Sequence, residues 1–348
     1  MRDSSVSRLL GPMAHTGDPD QMRSRRALIA ALIAVAGMWL AYIAFNTQQH
    51  SDFGAVWFGA QELLHHRNPY ALIGHGKTFD QWPLLYPAPA LVAVIPFVTL
   101  SERIATTLFV GLSTFLLAFG ATRRGWHLLP LFISEAYTSS ARLGQWSILI
   151  TAALFFPWIS LIAIAKPQAS VPILASTTDA RSFKAAVLGG VLLLAISFVL
   201  YPGWPAPWMA NVRAAQYMDA PITSVIGILI ALVLIRWRRP EAWLVFAMAC
   251  MPQSWGWYST LALFTIPETF AESVVLAGAA TIGGLLFTMT MPANATMPEF
   301  MDWLERLVLV TIYLPVTIMI LRRPNEGLGV AWMRGLRRLP RRRAAVTQ

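Results

Sequence analysis

Apolar residues in this chain are gathered into runs, and the length of those runs limits its fold more than any other feature. Nearly unbroken apolar stretches occupy 27–45, 104–121, 185–201, 221–235, 273–291 and 307–321. A helix rises about 1.5 Å per residue, so about 20 such residues match the hydrocarbon core of a bilayer. Membrane-spanning strands would instead alternate apolar and polar positions, and these runs do not. Only 13% of the 348 residues are charged, against about 25% in a typical soluble domain. The fold class is therefore all-α, a polytopic membrane protein.

The formal net charge of +10 invites a nucleic-acid partner, and its placement argues against one. The basic residues sit at the chain ends and in short connections: Arg23, Arg25 and Arg26, then Arg236, Arg238 and Arg239, then Arg322 and Arg323, then Arg334 to Arg343. Cytoplasmic segments of membrane proteins carry this excess, which also attracts anionic membrane lipids. The single cysteine, Cys250, excludes an intramolecular disulfide and any multi-cysteine metal site.

Orientation follows from the arginines. Residues 1–26 read as a basic cytoplasmic tail, 27–321 as the transmembrane domain and 322–348 as a second basic cytoplasmic tail. The first span runs outward, which makes 46–84 the first extracytoplasmic loop. Pro87, Pro89 and Pro96 shorten or kink the next apolar segment, 85–100. The count reaches about ten transmembrane helices, an even number with both termini cytoplasmic. One conflict stands. Arg123 and Arg124 signal the cytoplasm, whereas the count from the first span puts them outside. Residues 143–175 read as one broken span or as two short helices meeting near Pro157. Aromatic stretches at 201–219 and 252–260 read as outer turns at the interface.

The polar groups are few enough to weigh one by one. Asp52 follows the first span closely. A carboxylate there is placed to take a proton from an attacking hydroxyl, or it simply caps the helix beginning near Gly54. The helix over 55–64 carries one lipid-facing or core-facing stripe of Val56, Gly59, Ala60, Leu63 and Leu64, and reads as a helix lying along the membrane surface. His50, His65, His66 and His75 crowd the same loop without a metal-ligand motif. His65 and His66 read better as contacts to phosphate or headgroups, and no metal or other cofactor is implied. Asn68-Pro69-Tyr70 ends the helix, and Tyr86 opens the next segment. Gln145 and Lys166 lie within apolar surroundings. A lysine there must snorkel or meet an anion such as a lipid phosphate. Glu268 and Glu272 share a helix face four residues apart and read as loop residues without chemistry.

Taken in order, Asp52, RNPY at 67–70, LYPAPA at 85–90, LGQ at 143–145, AKP at 165–167 and PQSWGWY at 252–258 resemble the membrane glycosyltransferases of family 87, which have the GT-C fold. The resemblance covers roughly 27–321. It implies an inverting enzyme of the plasma (inner) membrane that moves mannose or a related sugar, such as arabinofuranose, from a polyprenyl-phosphate donor to a glycan or glycolipid acceptor at the outer face. Asp52 would be the catalytic base. Lys166, Gln145 and Tyr86 would lie at the donor and its phosphate. Asn68, Tyr70, His65, His66, Trp255 and Tyr258 would shape the loop or the acceptor side. The chain departs from the family where an aspartate or threonine and then a histidine often follow Ser-Trp: here Gly256 and Trp257 follow Ser254-Trp255. Two alternatives remain beside this expectation. One is a transporter or flippase for lipid or polyprenyl-linked substrates. The other is a noncatalytic membrane protein of glycosyltransferase descent.

Overall fold

The structure, a computed structural model, describes residues 19–47, 51–74, 83–215, 219–252, 256–292, 294–327 and 329–333. Its α-helices are α1 (Pro19–Ala44), α2 (Asp52–Leu64), α3 (Pro69–Leu72), α4 (Ala88–Val94), α5 (Glu102–Arg124), α6 (Glu135–Leu143), α7 (Ser147–Ala152), α8 (Pro167–Ser176), α9 (Ala180–Leu200), α10 (Pro205–Ala214), α11 (Pro240–Ala249), α12 (Phe270–Thr290), α13 (Met297–Val308) and α14 (Leu314–Leu321). Tighter 3₁₀ pieces fill Ile95–Phe97, Trp126–Ile133, Pro157–Ala165, Pro221–Thr223, Gly227–Arg236 and Trp257–Thr265, and a π-helical turn at Leu309–Tyr313 joins α13 to α14. The protein is an all-α, multi-pass membrane protein.

Among the described residues, five helices are long and apolar enough to cross a membrane: α1, α5, α9, α12 and the rod Pro298–Leu321 built from α13 and α14. About ten were expected. The difference lies in segments that are apolar but interrupted. Ala88–Phe97, Gly227–Arg236 and Pro240–Ala249 are short apolar helices. Between Trp126 and Ser176 the chain folds as five further short pieces, with Pro130, Pro157, Pro167 and Pro172 in or at the start of three of them. Proline lacks the amide hydrogen and clashes with the preceding turn, so an apolar run that contains it does not stay one helix. The helix expected from about residue 27 starts earlier, at Pro19, and takes in Arg23–Arg26.

α5 is the central helix. Of its most apolar window 67% is buried, against 17% for α9 and 28% for α1, whose other faces are left for lipid. α1 lies antiparallel to α5. Arg103 Nη2 at the start of α5 donates to the Tyr42 carbonyl (2.9 Å) and to Asn46 Oδ1 (3.1 Å) at the end of α1. Further along, Gly111 faces Met38 and Gly37 faces Thr114. Small residues at such a crossing let the two backbones approach, the usual device where lipid offers no hydrophobic drive for helix pairing.

This register resolves the conflict over Arg123 and Arg124. Because α5 runs back along α1, Arg124 ends level with Arg23–Arg26. The short segment Ala88–Phe97 therefore does not add a crossing. Arg124 also joins an ionic cluster at that face. Glu241 pairs with Arg124 (3.7 Å) and Arg239 (3.8 Å), Arg239 with Glu268, and buried Arg323 with Glu268 (3.4 Å) and Glu272 (2.7 Å). Glu268 and Glu272 thus have a structural task that their spacing alone did not indicate. They neutralise an arginine whose burial unpaired would be strongly unfavourable. Arg236 donates to the Leu321 carbonyl (2.8 Å). The arginines at 23–26, 124, 236–239 and 322–323 so gather at one face of the bundle.

The opposite face carries the end of α1, the start of α2, the turn at Gly144-Gln145, Lys166 and the connection holding α10. A labelling experiment tests the arrangement. With Cys250→Ser as background, Arg123→Cys reacts with an impermeant maleimide from the same side as Met22→Cys and from the side opposite to His66→Cys. Co-labelling of positions 123 and 66 would refute the α1–α5 register.

Candidate functional site

The site begins at the start of α2. Ser51 adopts an extended conformation (φ −109°, ψ 162°), and its Oγ accepts from the Gly54 amide at 2.9 Å. This is an N-cap hydrogen bond, which satisfies one of the amides a helix start leaves open. Ser51 Oγ also meets Thr106 Oγ1 of α5 at 2.9 Å, and the Ser51 amide donates to Glu102 Oε1 at 3.1 Å. Gly54 leaves room for the Glu102 carboxylate: a Cβ built on it would lie 1.8 Å from Glu102 Oε1. The capping alternative for Asp52 is therefore displaced. Ser51 caps the helix, and Asp52 is the first helical residue. Among the described residues no hydrogen bond or ion pair occupies its carboxylate. Burial pushes that carboxyl up to about 6, and the nearby charge of Lys166 draws it partly back.

The stripe expected on the helix faces protein rather than lipid. Phe53, Val56, Trp57, Gly59, Ala60 and Leu63 are buried, while Leu64 is exposed. Phe53 stacks on Phe109 (ring centroids 4.5 Å apart) and meets Phe97 edge-on at 5.7 Å. Phe109 continues to Trp146 at 5.3 Å, and Trp146 to Tyr86 at 6.4 Å. Trp57 Nε1 donates to the Phe97 carbonyl at 3.0 Å. An aromatic floor of this kind is rigid, because each ring is held by the next.

Gln145 reaches the site through a helix-ending turn. α6 stops at Gly144, whose left-handed backbone (φ 65°, ψ 40°) suits glycine. The Gln145 amide then donates back to the Ser140 carbonyl at 2.8 Å. A Cβ on Gly144 would lie 2.7 Å from Thr106 Cγ2 and 3.2 Å from Phe53 Cβ. The Leu-Gly-Gln turn is thus seated against the residues on either side of Asp52.

Lys166 arrives from the other direction, between Pro157–Ala165 and α8. It is 6% exposed, and Gln145 is 1% exposed. Its ammonium donates to Gln145 Oε1 at 2.7 Å and to the Tyr86 hydroxyl at 3.4 Å. The rings of Tyr86 and Tyr258 lie 5.6 and 5.5 Å from Nζ. Aromatic faces at this range attract a cation by about 0.5–2 kcal/mol each. Tyr258 also lies close enough to Gln145 and Asp52 to interact with both. One ammonium hydrogen is left with no partner among the described residues. Asp52 and Lys166 influence each other's charge, with no ion pair between them among the described residues.

Asn68 and Tyr70 act one step back. Asn68 Oδ1 caps α3 by accepting from the Tyr70 amide at 3.0 Å, and the Tyr70 hydroxyl donates to the Tyr86 carbonyl at 3.2 Å. Two residues not singled out in the sequence hold the same loop. Asn211 Nδ2 donates to the Tyr70 and Leu84 carbonyls (3.3 Å each), and Trp208 Nε1 to the Leu85 carbonyl at 2.9 Å. Their aromatic-rich stretch signalled an interface, and nothing in it signalled these long-range partners. Glu102, a charged residue at the start of α5, carries no sequence signal of its contact with Ser51 either.

The histidines fall elsewhere. His65 ends α2 and His66 follows in the left-handed region (φ 55°), and both are exposed. Thirteen helical residues separate them from Asp52 by about 20 Å at 1.5 Å per residue. Trp255, His50 and His75 lie outside the described residues. Among the described residues no three His, Cys, Asp or Glu side chains gather as a metal site. Trp257, where the resembled family often has a polar group, is buried with its ring 5.5 Å from that of Phe287. Comparison of the chain with protein-family models, with curated proteins and with solved structures finds no match.

Proposed function

We propose that this protein is an inverting glycosyltransferase of GT-C-like architecture. It moves mannose or a related sugar from a polyprenyl-phosphate donor to a glycan or glycolipid acceptor at the outer face of the plasma membrane. The observation that carries the reading is the convergence of Asp52, Gln145, Lys166, Tyr86 and Tyr258 from separate segments on one point. There a carboxylate with no hydrogen-bond partner among the described residues lies within electrostatic reach of a buried ammonium. The motif order that led to the resemblance contributes the substrate class, since architecture alone does not fix activity.

The chemistry that suits this pair is a single displacement. An acceptor hydroxyl gives its proton to Asp52 as its oxygen bonds to the anomeric carbon. The bond from that carbon to the phosphate oxygen breaks, and the lipid phosphate leaves with the electron pair. The remaining N–H of Lys166 stabilises the charge gathering on the leaving phosphate, where the low-dielectric surroundings strengthen it. Gln145 and Tyr86 hold the ammonium in place before the reaction begins.

A second reading, a transporter of lipid or polyprenyl-linked substrates, is favoured by one observation. The pieces leading to Gln145 and Lys166 are short and interrupted, as in helices that part around a transported substrate. The readings separate on a single preparation. Protein reconstituted in vesicles with labelled polyprenyl-phosphate mannose and acceptor forms labelled product in the first. In the second it moves the donor between leaflets without forming product.

In that assay Asp52→Asn lowers turnover by about 10²–10⁴-fold, the usual worth of a general base. The same variant melts at or above the wild-type temperature at pH 8. The folded protein raises this carboxyl to about 6, so the ionised form is disfavoured in the fold and its removal costs no stability there. Wild-type kcat/KM falls as pH drops below about 6, where Asp52 becomes protonated. An acid limb near the ordinary aspartate value would count against Asp52. Lys166→Met keeps much of the side-chain volume and lowers kcat by about 10²–10³-fold, as loss of one preorganised charge donor does.

A further inference from the structure

We propose that Glu102 and Arg103 are positioning residues for Asp52: together they pin both ends of the turn that presents its carboxylate to Lys166. The inference rests on the reading of Asp52 as the base. Neither residue touches the Asp52 carboxylate, so each acts through the backbone on either side of it.

The two are neighbours at the start of α5, and they reach in opposite directions along one connection. Arg103 holds its beginning. The guanidinium donates to the Tyr42 carbonyl (2.9 Å) and Asn46 Oδ1 (3.1 Å), and its carbon lies 3.7 Å from the centre of the Tyr42 ring. Glu102 holds its end, accepting from the Ser51 amide at 3.1 Å, with Ser51 Oγ at 3.5 Å. Ser51 is the residue immediately before Asp52. The Glu102 carboxylate lies over Gly54, in the position a Cβ there would crowd. It also sits at the first turns of both α2 and α5, where the partial positive charge of two helix starts favours an anion. The carboxylate therefore stays at the helix start and fixes the direction in which α2 begins. Its own charge is not needed at Asp52, whose protonation responds to burial and to Lys166. A neutral acceptor of the same shape should serve nearly as well.

The test compares Glu102→Ala with Glu102→Gln and reads kcat, KM, melting temperature and the protonation midpoint of Asp52. The midpoint comes from the infrared carboxyl difference against Asp52→Asn and does not depend on turnover. Glu102→Ala is expected to lower kcat by about tenfold or more, since small misplacements of a reacting group are costly, while KM stays unchanged. The Asp52 midpoint moves down toward the ordinary aspartate range as the carboxyl leaves its buried position. Glu102→Gln keeps an acceptor for the Ser51 amide and retains the wild-type kcat and midpoint. If Glu102→Ala does not fold, Arg103→Ala is read in its place with the same expectations. A folded alanine variant with wild-type kcat and midpoint overturns the proposal, as does a glutamine variant as impaired as the alanine one. If wild-type protein transfers no sugar, the functional reading fails, and the Asp52 midpoints still decide the positioning.

Discussion

A lysine ammonium held between apolar helices is the constraint around which this structure is arranged. Lys166 is almost wholly buried and, among the described residues, forms no ion pair with a carboxylate. An isolated charge in such surroundings is strongly unfavourable. Its compensation comes from the Gln145 amide oxygen, the Tyr86 hydroxyl and the rings of Tyr86 and Tyr258, brought together from three segments. Gln145 needs the left-handed turn at Gly144, and Tyr86 needs the loop held by Tyr70, Asn211 and Trp208. Much of the architecture of this face can be traced to bringing those groups to one ammonium.

That demand also accounts for the interrupted segments. Within a bilayer every backbone amide and carbonyl must find a partner inside the protein, so broken helices are tolerated only where protein surrounds them. Here the short pieces between Trp126 and Ser176 pack among one another and against α5, α9, α11 and α12, and the longer helices present much of their surface outward. Breaking a helix at Gly144 and again at Pro167 places side chains at chain ends, where they can turn toward a common point. In one unbroken helix the 21 residues between them would set Gln145 and Lys166 about 31 Å apart along the axis. At the opposite face, Arg124, Arg239 and Arg323 form the ionic cluster that ties α5, α11, α12 and α14 together.

Several site residues were legible in the sequence because they violate their surroundings. Asp52, Gln145 and Lys166 are polar groups beside apolar runs, and the bilayer makes such exceptions conspicuous. Glu102 and Arg103 were not legible, since charged residues in a short turn are ordinary. Their importance lies in partners about fifty residues away. The histidines were misleading for the converse reason. Four of six lie close together in the chain, yet the two described ones sit at the exposed end of α2, a helix length from Asp52.

The sequence by itself determined that this is an all-α membrane protein, because hydrocarbon thickness converts run length directly into helix length. It also determined which segments carry basic charge and which few polar groups stand apart. Tertiary structure alone decided how many runs are single long helices and on which side Arg124 lies. It also decided that Ser51 caps the helix while Asp52 has no hydrogen-bond partner among the described residues. Those outcomes depend on contacts between residues far apart in the chain. An apolar run has the same composition whether it crosses in one helix or turns back halfway.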